Sequence, residues 1–138
     1  MTEAAKQVAR MAADHATAWN AHDGPATALL FAEDGEISVN GGPAHSGRAD
    51  IAENAVALMA TFPDLTVTCH LTRHAGNRAV FLWTLEGRHA ETGNFVSLPG
   101  WHEWELDADM LVRRCRGFYD AESLERQIAG SRPDNAAR

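Results

Sequence analysis

Residues 79–107 read AVFLWTLEGRHAETGNFVSLPGWHEWELD, which is two strand-like runs on either side of Thr92-Gly93-Asn94. Two antiparallel strands joined at this point carry His89 and Glu103 on neighbouring strands, and the two-residue alternation decides the face to which each side chain points. If both side chains enter an apolar hollow, they form an acid–base pair. If they face water, they are surface residues.

The length of the connection decides which residues stand opposite each other in this hairpin. A tight turn centred on Gly93 sets Glu103 opposite Trp83, whereas a wider connection centred near Val96 sets Glu103 opposite His89. Only the wider connection favours the pair. In the second run Trp101, Glu103 and Glu105 share one face, and the residues between them share the other.

The composition is that of a globular protein, with 45% hydrophobic and 22% charged residues among 138. We expect one domain over residues 1–130 and a flexible tail over 131–138. The net charge of −7, without a basic stripe, argues against nucleic acid and anionic membranes as partners. Cys69 and Cys115 have no metal-type spacing, so we expect reduced thiols in a cytoplasmic protein and no metal site. No run is long enough to span a bilayer.

The rest of the chain predicts helices followed by strands. Helical spacing over 3–22 places Val8, Met11, His15 and Trp19 on one stripe. A short second helix, a turn at 33–35 and a strand over 36–40 follow, and a third helix continues to Pro63. Four β-rich runs, 65–74, 79–89, 95–107 and 110–119, predict an antiparallel meander, and Asp120 caps a short last helix. The order predicts an α+β fold with a strongly curved sheet, about three helices over its concave face and a pocket between them.

Short motifs in this order resemble a known family. They are Trp19-Asn20-Ala21-His22-Asp23, Phe31-Ala32-Glu33-Asp34, Ser46-Gly47-Arg48, Phe62-Pro63-Asp64-Leu65, and residues 87–93, GRHAETG, which are similar to the G-T-H-T-G stretch of polyketide cyclases. The chain thus resembles the cone-shaped nuclear-transport-factor-2-like fold and its SnoaL-like polyketide cyclase and ketosteroid-isomerase-like group. The resemblance covers nearly the whole chain.

The resemblance implies a catalytic pair. In the cyclases the histidine of this stretch works with an acidic residue fourteen positions later, and these positions hold His89 and Glu103, with glutamate in place of the usual aspartate. In the isomerases the general-base aspartate falls at or beside Val39, which cannot take a proton, and the first-helix tyrosine falls at His15. A steroid-type isomerase with the usual base is therefore disfavoured.

The resulting hypothesis is a cofactor-free enzyme. Glu103 and His89 move a proton to or from carbon in a hydrophobic, carbonyl-bearing small molecule, and ring closure or isomerisation follows. No metal or nucleotide is expected. The predicted substrate-binding residues are His15, Trp19, Asn40, Trp83, Trp101 and Tyr119.

The sequence also allows two other functions and suggests a second copy of the chain as a partner. The same fold serves a non-catalytic, dimeric small-molecule-binding module, and a protein-interaction module is favoured only if tryptophans fill the pocket. Trp104 and Leu106, if they lie on the convex face of the sheet, form an apolar patch that favours a homodimer through the sheets.

Overall fold

The computed structural model describes residues 2–131, which form four helices and six strands. In chain order they are α1 (Glu3–Asn20), α2 (Gly24–Ala28), β1 (Phe31–Val39), β2 (His45–Ser46), α3 (Arg48–Thr61), β3 (Thr66–Ala75), β4 (Arg78–Arg88), β5 (Phe95–Leu106), β6 (Val112–Tyr119) and α4 (Ala121–Ile128). The predicted α+β class and curved sheet are confirmed. The predicted tail lies outside the described residues except for Ser131.

Local signals explain where the helices begin and end. Thr2 caps α1 by accepting the backbone N–H of Ala5, and Asp23 and Asp120 cap α2 and α4 in the same way. The third helix ends before Pro63, as its sequence predicts. None of the helices in the described part of the chain is long and apolar enough to cross a membrane.

The strands form one sheet in the order β2-β1-β6-β5-β4-β3. The predicted meander is present, since β3, β4, β5 and β6 pair in sequence and antiparallel. Sequence reasoning missed that β1 pairs parallel to β6. The turn predicted at 33–35 is instead part of β1, where the register with β6 shifts between Phe31 and Glu36.

The core lies between one face of the sheet, here called the inner face, and the helices. Phe81 and Trp104 from neighbouring strands pack at 5.6 Å between ring centroids, and Val8 and Ala12 of α1 belong to the same buried cluster. A second cluster joins α3 to the start of β5 through Met59 and other buried residues. Trp104 and Leu106 are therefore core residues and not part of an exposed patch.

Two amide side chains fasten helices to strand backbones. Asn20, at the end of α1, donates to the carbonyl of Val67 and accepts its N–H, as a neighbouring strand would. Gln127 of α4 makes the same pair of bonds with Ser97 on β5. These bonds fix both helices relative to the sheet.

The outer face of the sheet carries a buried carboxylate. Glu105 is only 6% exposed and is bonded to Arg113, with Arg78 and Arg114 each 3.7 Å away. The hydrogen bond from Arg113 lowers the pKa of Glu105, and the positive charges of all three arginines act in the same direction. This carboxylate is thus held ionised by a network on the side of the sheet opposite the core.

Gly100 permits a close approach that the core requires. It pairs with Trp83 across β4 and β5, and a Cβ at Gly100 would lie 2.5 Å from the Trp83 ring and 2.6 Å from the carbonyl oxygen of Phe118. Any side chain at this position must displace a large buried ring or the neighbouring strand.

We expect Gly100→Ala to lower the free energy of unfolding by about 2 kcal/mol, because the added methyl overpacks the core. Ala75→Val is the matched control, since it adds methyl groups at an exposed strand position and should change stability by less than about 0.5 kcal/mol. Urea unfolding measures both. Equal stability of Gly100→Ala and the wild type would show that Trp83 does not lie against this glycine.

Candidate functional site

An interior cavity lies between the inner face of the sheet and helices α1 and α3. It consists of two adjoining spaces of about 70 and 100 Å³. The residues that line both are His15, Trp19, Leu58, Trp83 and His102. No Asp, Glu, Lys or Arg is among the described residues that line either space. Ionisable chemistry in this cavity therefore depends on the two histidines and Tyr119.

His15 enters the cavity from α1. It is 6% exposed, and its ring meets Phe81 and Trp104 edge-on at 6.2 and 6.4 Å between centroids. One turn further along the helix, the indole Nε1–H of Trp19 donates to His15 Nε2 at 3.2 Å. Burial, and secondarily the neighbouring His102, lower the pKa of His15 to about 3, so the ring is neutral at pH 7.

His102 enters the same cavity from β5. It pairs with Phe81 on one side and Gly117 on the other. A Cβ at Gly117 would lie 2.8 Å from His102 Cδ2, so the glycine provides the room that the imidazole occupies. The His102 and His15 ring centroids are 6.2 Å apart. Burial lowers the pKa of His102 to about 4, and this ring is also neutral at pH 7.

Several buried ring nitrogens at this site have no hydrogen-bond partner among the described residues. They include His15 Nδ1, His102 Nδ1 and Trp83 Nε1. A fourth, Trp104 Nε1, belongs to a residue that pairs with Cys115 across β5 and β6. Buried polar atoms are normally bonded, so three such atoms around one cavity indicate a place where a polar ligand atom could bind.

The structure does not bring His89 and Glu103 together. Glu103 pairs with Val80 on β4, whereas Arg88, which precedes His89, is eight residues further along, or about 26 Å for an extended strand. The connection is the six residues 89–94, shorter than the wide loop that the pair requires and longer than a turn centred on Gly93. The expectation of a shared cavity is therefore corrected.

Each member of that pair has other contacts. Glu103 is exposed on the outer face and accepts the indole N–H of Trp101 at 3.0 Å. His89 lies in the loop after β4, where its Nδ1 is 3.2 Å from the Thr92 hydroxyl and its ring packs on Phe62 at 5.8 Å. Neither residue lines the interior cavity.

The other residues predicted to bind substrate divide between two places. Trp83 and Tyr119 line the cavity together with His15 and Trp19. Asn40 lies in the turn after β1, with φ +51°, and its side chain accepts the backbone N–H of Tyr119. It supports a wall residue without lining the cavity. Trp101 is on the outer face and 41% exposed.

His102 is the site residue that sequence reasoning did not select. It shares a face with Trp104 and Leu106, both nearly fully buried, so its alternation with these two residues was the available signal. Because both faces of this strand contain aromatic and charged residues, alternation alone did not identify the inner one.

A separate, open cleft of about 560 Å³ lies between α1, α2 and the turn after β5. Its lining is mainly apolar, with Met11, Leu30 and Met110, and His15 lies between this cleft and the interior cavity. The cleft is in the size range of ligand pockets, whereas the interior spaces are below the roughly 300–1,000 Å³ typical for drug-sized ligands.

The sequence matches the SnoaL-like domain family over residues 12–114, and the chain belongs to that family. No curated protein matches it. The fold is shared with structures of low sequence identity. One is a hypothetical protein with a ketosteroid-isomerase-like fold from Catenulispora acidiphila, in complex with trimethylamine, with TM-score 0.79 and 19% identity over 86% of this chain and 92% of that one.

Two further structures carry names that concern function or a ligand. A candidate SnoaL-like polyketide cyclase from Jannaschia sp. CCS1 has TM-score 0.74 and 17% identity over 89% of this chain and 94% of that one. TerC, co-crystallised with polyporic acid, has TM-score 0.75 and 16% identity over 88% and 97%. At these identities the similarity establishes the fold.

The lowered pKa values of His15 and His102 make stability depend on pH. Below pH 6.5 the unfolded chain protonates both histidines and the folded chain does not, so stability falls with pH by about 1.4 kcal/mol per unit and per histidine down to about pH 4. We expect His102→Gln to reduce this slope between pH 6.5 and 4.5, measured by urea unfolding at several pH values.

The control for this experiment is His70→Gln, which changes an exposed histidine that is bonded to Thr84 and does not line the cavity. Above pH 4.5 the pH dependence of stability reports on the two histidines. The lowered pKa of Glu105 affects stability mainly at more acidic pH. A wild-type protein equally stable at pH 6.5 and 4.5 would contradict the burial of neutral imidazoles.

Proposed function

We propose that this protein is a cofactor-free acid–base enzyme that acts on a small, hydrophobic carbonyl compound, with His15 and His102 as the groups that handle the proton. The observation that carries the proposal is the juxtaposition of two neutral imidazoles, buried His15 and partly buried His102, with ring centroids 6.2 Å apart in a cavity whose described wall residues include no Asp, Glu, Lys or Arg. Ring closure or isomerisation is the proposed outcome, in keeping with the SnoaL-like family and the polyketide-cyclase name of one structural relative.

Neutral imidazoles suit this chemistry because each has one N–H and one lone pair. A lone pair takes the proton from the carbon next to the carbonyl, and an N–H donates to the oxygen that becomes an enolate. The imidazolium and the enolate form together, and their attraction in a poorly solvated cavity offsets the low basicity of a buried histidine. Return of the proton to another carbon isomerises the compound. Alternatively, the enolate carbon attacks a second carbonyl, a C–C bond forms as the C=O π bond breaks, and the imidazolium returns its proton to the resulting alkoxide, which closes a ring.

The cavity also limits the substrate. Aromatic residues, among them Trp19, Trp83 and Tyr119, form much of its wall, and the two spaces are small. We propose a compact ligand that enters the cavity while displacing few or no side chains. The trimethylamine complex and the polyporic acid complex of the structural relatives support small-molecule binding by this fold in general.

The experiment is deuterium exchange of a simple ketone. Cyclohexanone in D₂O is followed by ¹H NMR with and without the protein, and loss of the C2 proton signal reports enolisation. We expect wild-type protein to accelerate the exchange and His102→Gln to lower the rate constant at least 100-fold, the usual scale for loss of a general acid or base.

Glu103→Gln and His89→Gln are the matched controls, since neither side chain lines the cavity. Both variants should exchange the ketone within about two-fold of the wild-type rate, and thermal unfolding verifies that all three variants fold. Loss of exchange in Glu103→Gln with retention in His102→Gln would overturn the assignment.

A second candidate function is a non-catalytic binding module, and the small volume of the interior spaces favours it. For such a module, the wild-type protein would bind small ketones without accelerating exchange, and His102→Gln would change only the affinity. Calorimetry on the same compound distinguishes this outcome from the enzymatic one.

We also propose a homodimer through the outer face of the sheet. Four apolar residues stand in one register row across β3 to β6: Leu71, Leu82, Trp101 and Phe118. The first three are 36–41% exposed, and Trp101 stacks on Phe118 at 5.2 Å. A continuous exposed apolar row is typical of an association surface.

The proposed cytoplasmic location rests on the two unpaired cysteines, one buried and one partly buried.

We expect Leu82→Glu to convert the dimer to a monomer, because it puts a charge in the middle of this row. Size-exclusion chromatography with light scattering measures the mass. Leu29→Glu is the control, since Leu29 is 64% exposed but lines the cleft beside α2 and is not part of this row. A monomeric wild-type protein would exclude the proposed dimer.

A further inference from the structure

The two ring nitrogens of His15 have different environments. Nε2 accepts a hydrogen bond from the indole N–H of Trp19 at 3.2 Å, and Nδ1 is buried without a partner among the described residues. An indole nitrogen can only donate, so Nε2 must offer its lone pair. In a neutral imidazole the proton is then on Nδ1.

We propose that Trp19 is a positioning residue that fixes His15 as the Nδ1–H tautomer, so that His15 is a hydrogen-bond donor in the cavity and His102 is the proton acceptor. The division of roles rests on the proposed function, whereas the tautomer does not. Trp19 does not itself transfer the proton. It acts through His15.

The packing around His15 supports a single ring orientation. Trp19 is four residues after His15, so the two side chains stand on the same face of α1 and meet without strain. Phe81 and Trp104 hold the imidazole edge-on from the sheet side. A flip of the ring would break the bond from Trp19.

The environment of His102 differs from that of His15 because it does not fix the tautomer of the ring. His102 Nδ1 is buried without a hydrogen-bond partner among the described residues, so no donor there imposes a tautomer on the ring. The Trp83 indole N–H, which is also unpartnered, is a second donor at the same cavity. With His15 and Trp83 as donors, His102 is the imidazole whose lone pair is available to receive a proton from a ligand.

The test is ¹⁵N NMR of the ligand-free protein labelled at histidine. Long-range ¹H–¹⁵N correlation at pH 7 distinguishes a protonated from an unprotonated ring nitrogen. We expect His15 to have a protonated Nδ1 and an unprotonated Nε2 in the wild type. In Trp19→Phe, which keeps an aromatic ring but removes the N–H, we expect a substantial fraction of the Nε2–H tautomer.

Trp83→Phe is the matched control, because it removes an indole N–H from the same cavity that is not bonded to His15. The His15 tautomer should be unchanged in it. An Nε2–H tautomer in the wild type overturns the inference without any variant. An unchanged His15 tautomer in Trp19→Phe overturns the role of Trp19.

The exchange assay separates this inference from the proposed function. If the enzyme proposal holds, Trp19→Phe should lower kcat for cyclohexanone exchange about ten-fold, because it removes the bond that fixes the His15 donor. Trp19 also lines the cavity, so the smaller phenylalanine enlarges the site and KM changes as well. The expected tautomers together with an inactive wild type would support the inference about Trp19 and exclude the enzyme. An active wild type in which His15 is the Nε2–H tautomer would support the enzyme proposal and overturn the inference about Trp19.

Discussion

The register between β4 and β5 is the constraint on which the rest of the site depends. It sets Trp83 against Gly100 and Phe81 against His102, and thereby turns the alternate residues of β5 toward the helices. A slip of one residue would exchange His102 for Glu103 on the inner face. Backbone bonds within the loop at 89–94 hold the register, since His89 N–H donates to the carbonyl of Asn94 and Gly93 N–H to that of His89.

Local chemistry explains why most of the fold could be predicted. Asp23, Asp120 and Pro63 mark helix ends by capping or by steric restriction, and alternation marks the four long strands. The parallel pairing of β1 with β6 could not be predicted in this way. It joins strands that are more than seventy residues apart in the chain and are not connected by a single turn. Such contacts are decided by the packing of the whole domain.

The candidate site was less accessible from the sequence than the fold. His15 and Trp83 were found because they follow clear apolar periodicities. His102 was not found, since aromatic and ionisable residues stand on both faces of β5. Its position depends on the length of the loop before β5, and the observed loop at 89–94 is neither the tight turn nor the wide connection considered from the sequence. Two glycines make room for the result: Gly100 beneath Trp83 and Gly117 beside His102.

Electrostatics then separate the two faces of the sheet. On the outer face Glu105 is held by arginines and Glu103 by the Trp101 indole. The cavity on the inner face contains imidazoles and no carboxylate among its described wall residues. Burial of a neutral ring costs far less than burial of an ion, so this arrangement keeps proton-transferring groups in the interior without an internal charge.

The most direct measurement is an NMR titration of the His15 and His102 ring protons in the ligand-free protein between pH 8 and 4. Both signals should remain those of neutral imidazole to about pH 4 or to the acid unfolding of the chain, because burial lowers the pKa of both rings. Titration of both rings near pH 6.5 would contradict this prediction, because the two imidazoles would then be as well solvated as free histidine and not desolvated by the cavity wall.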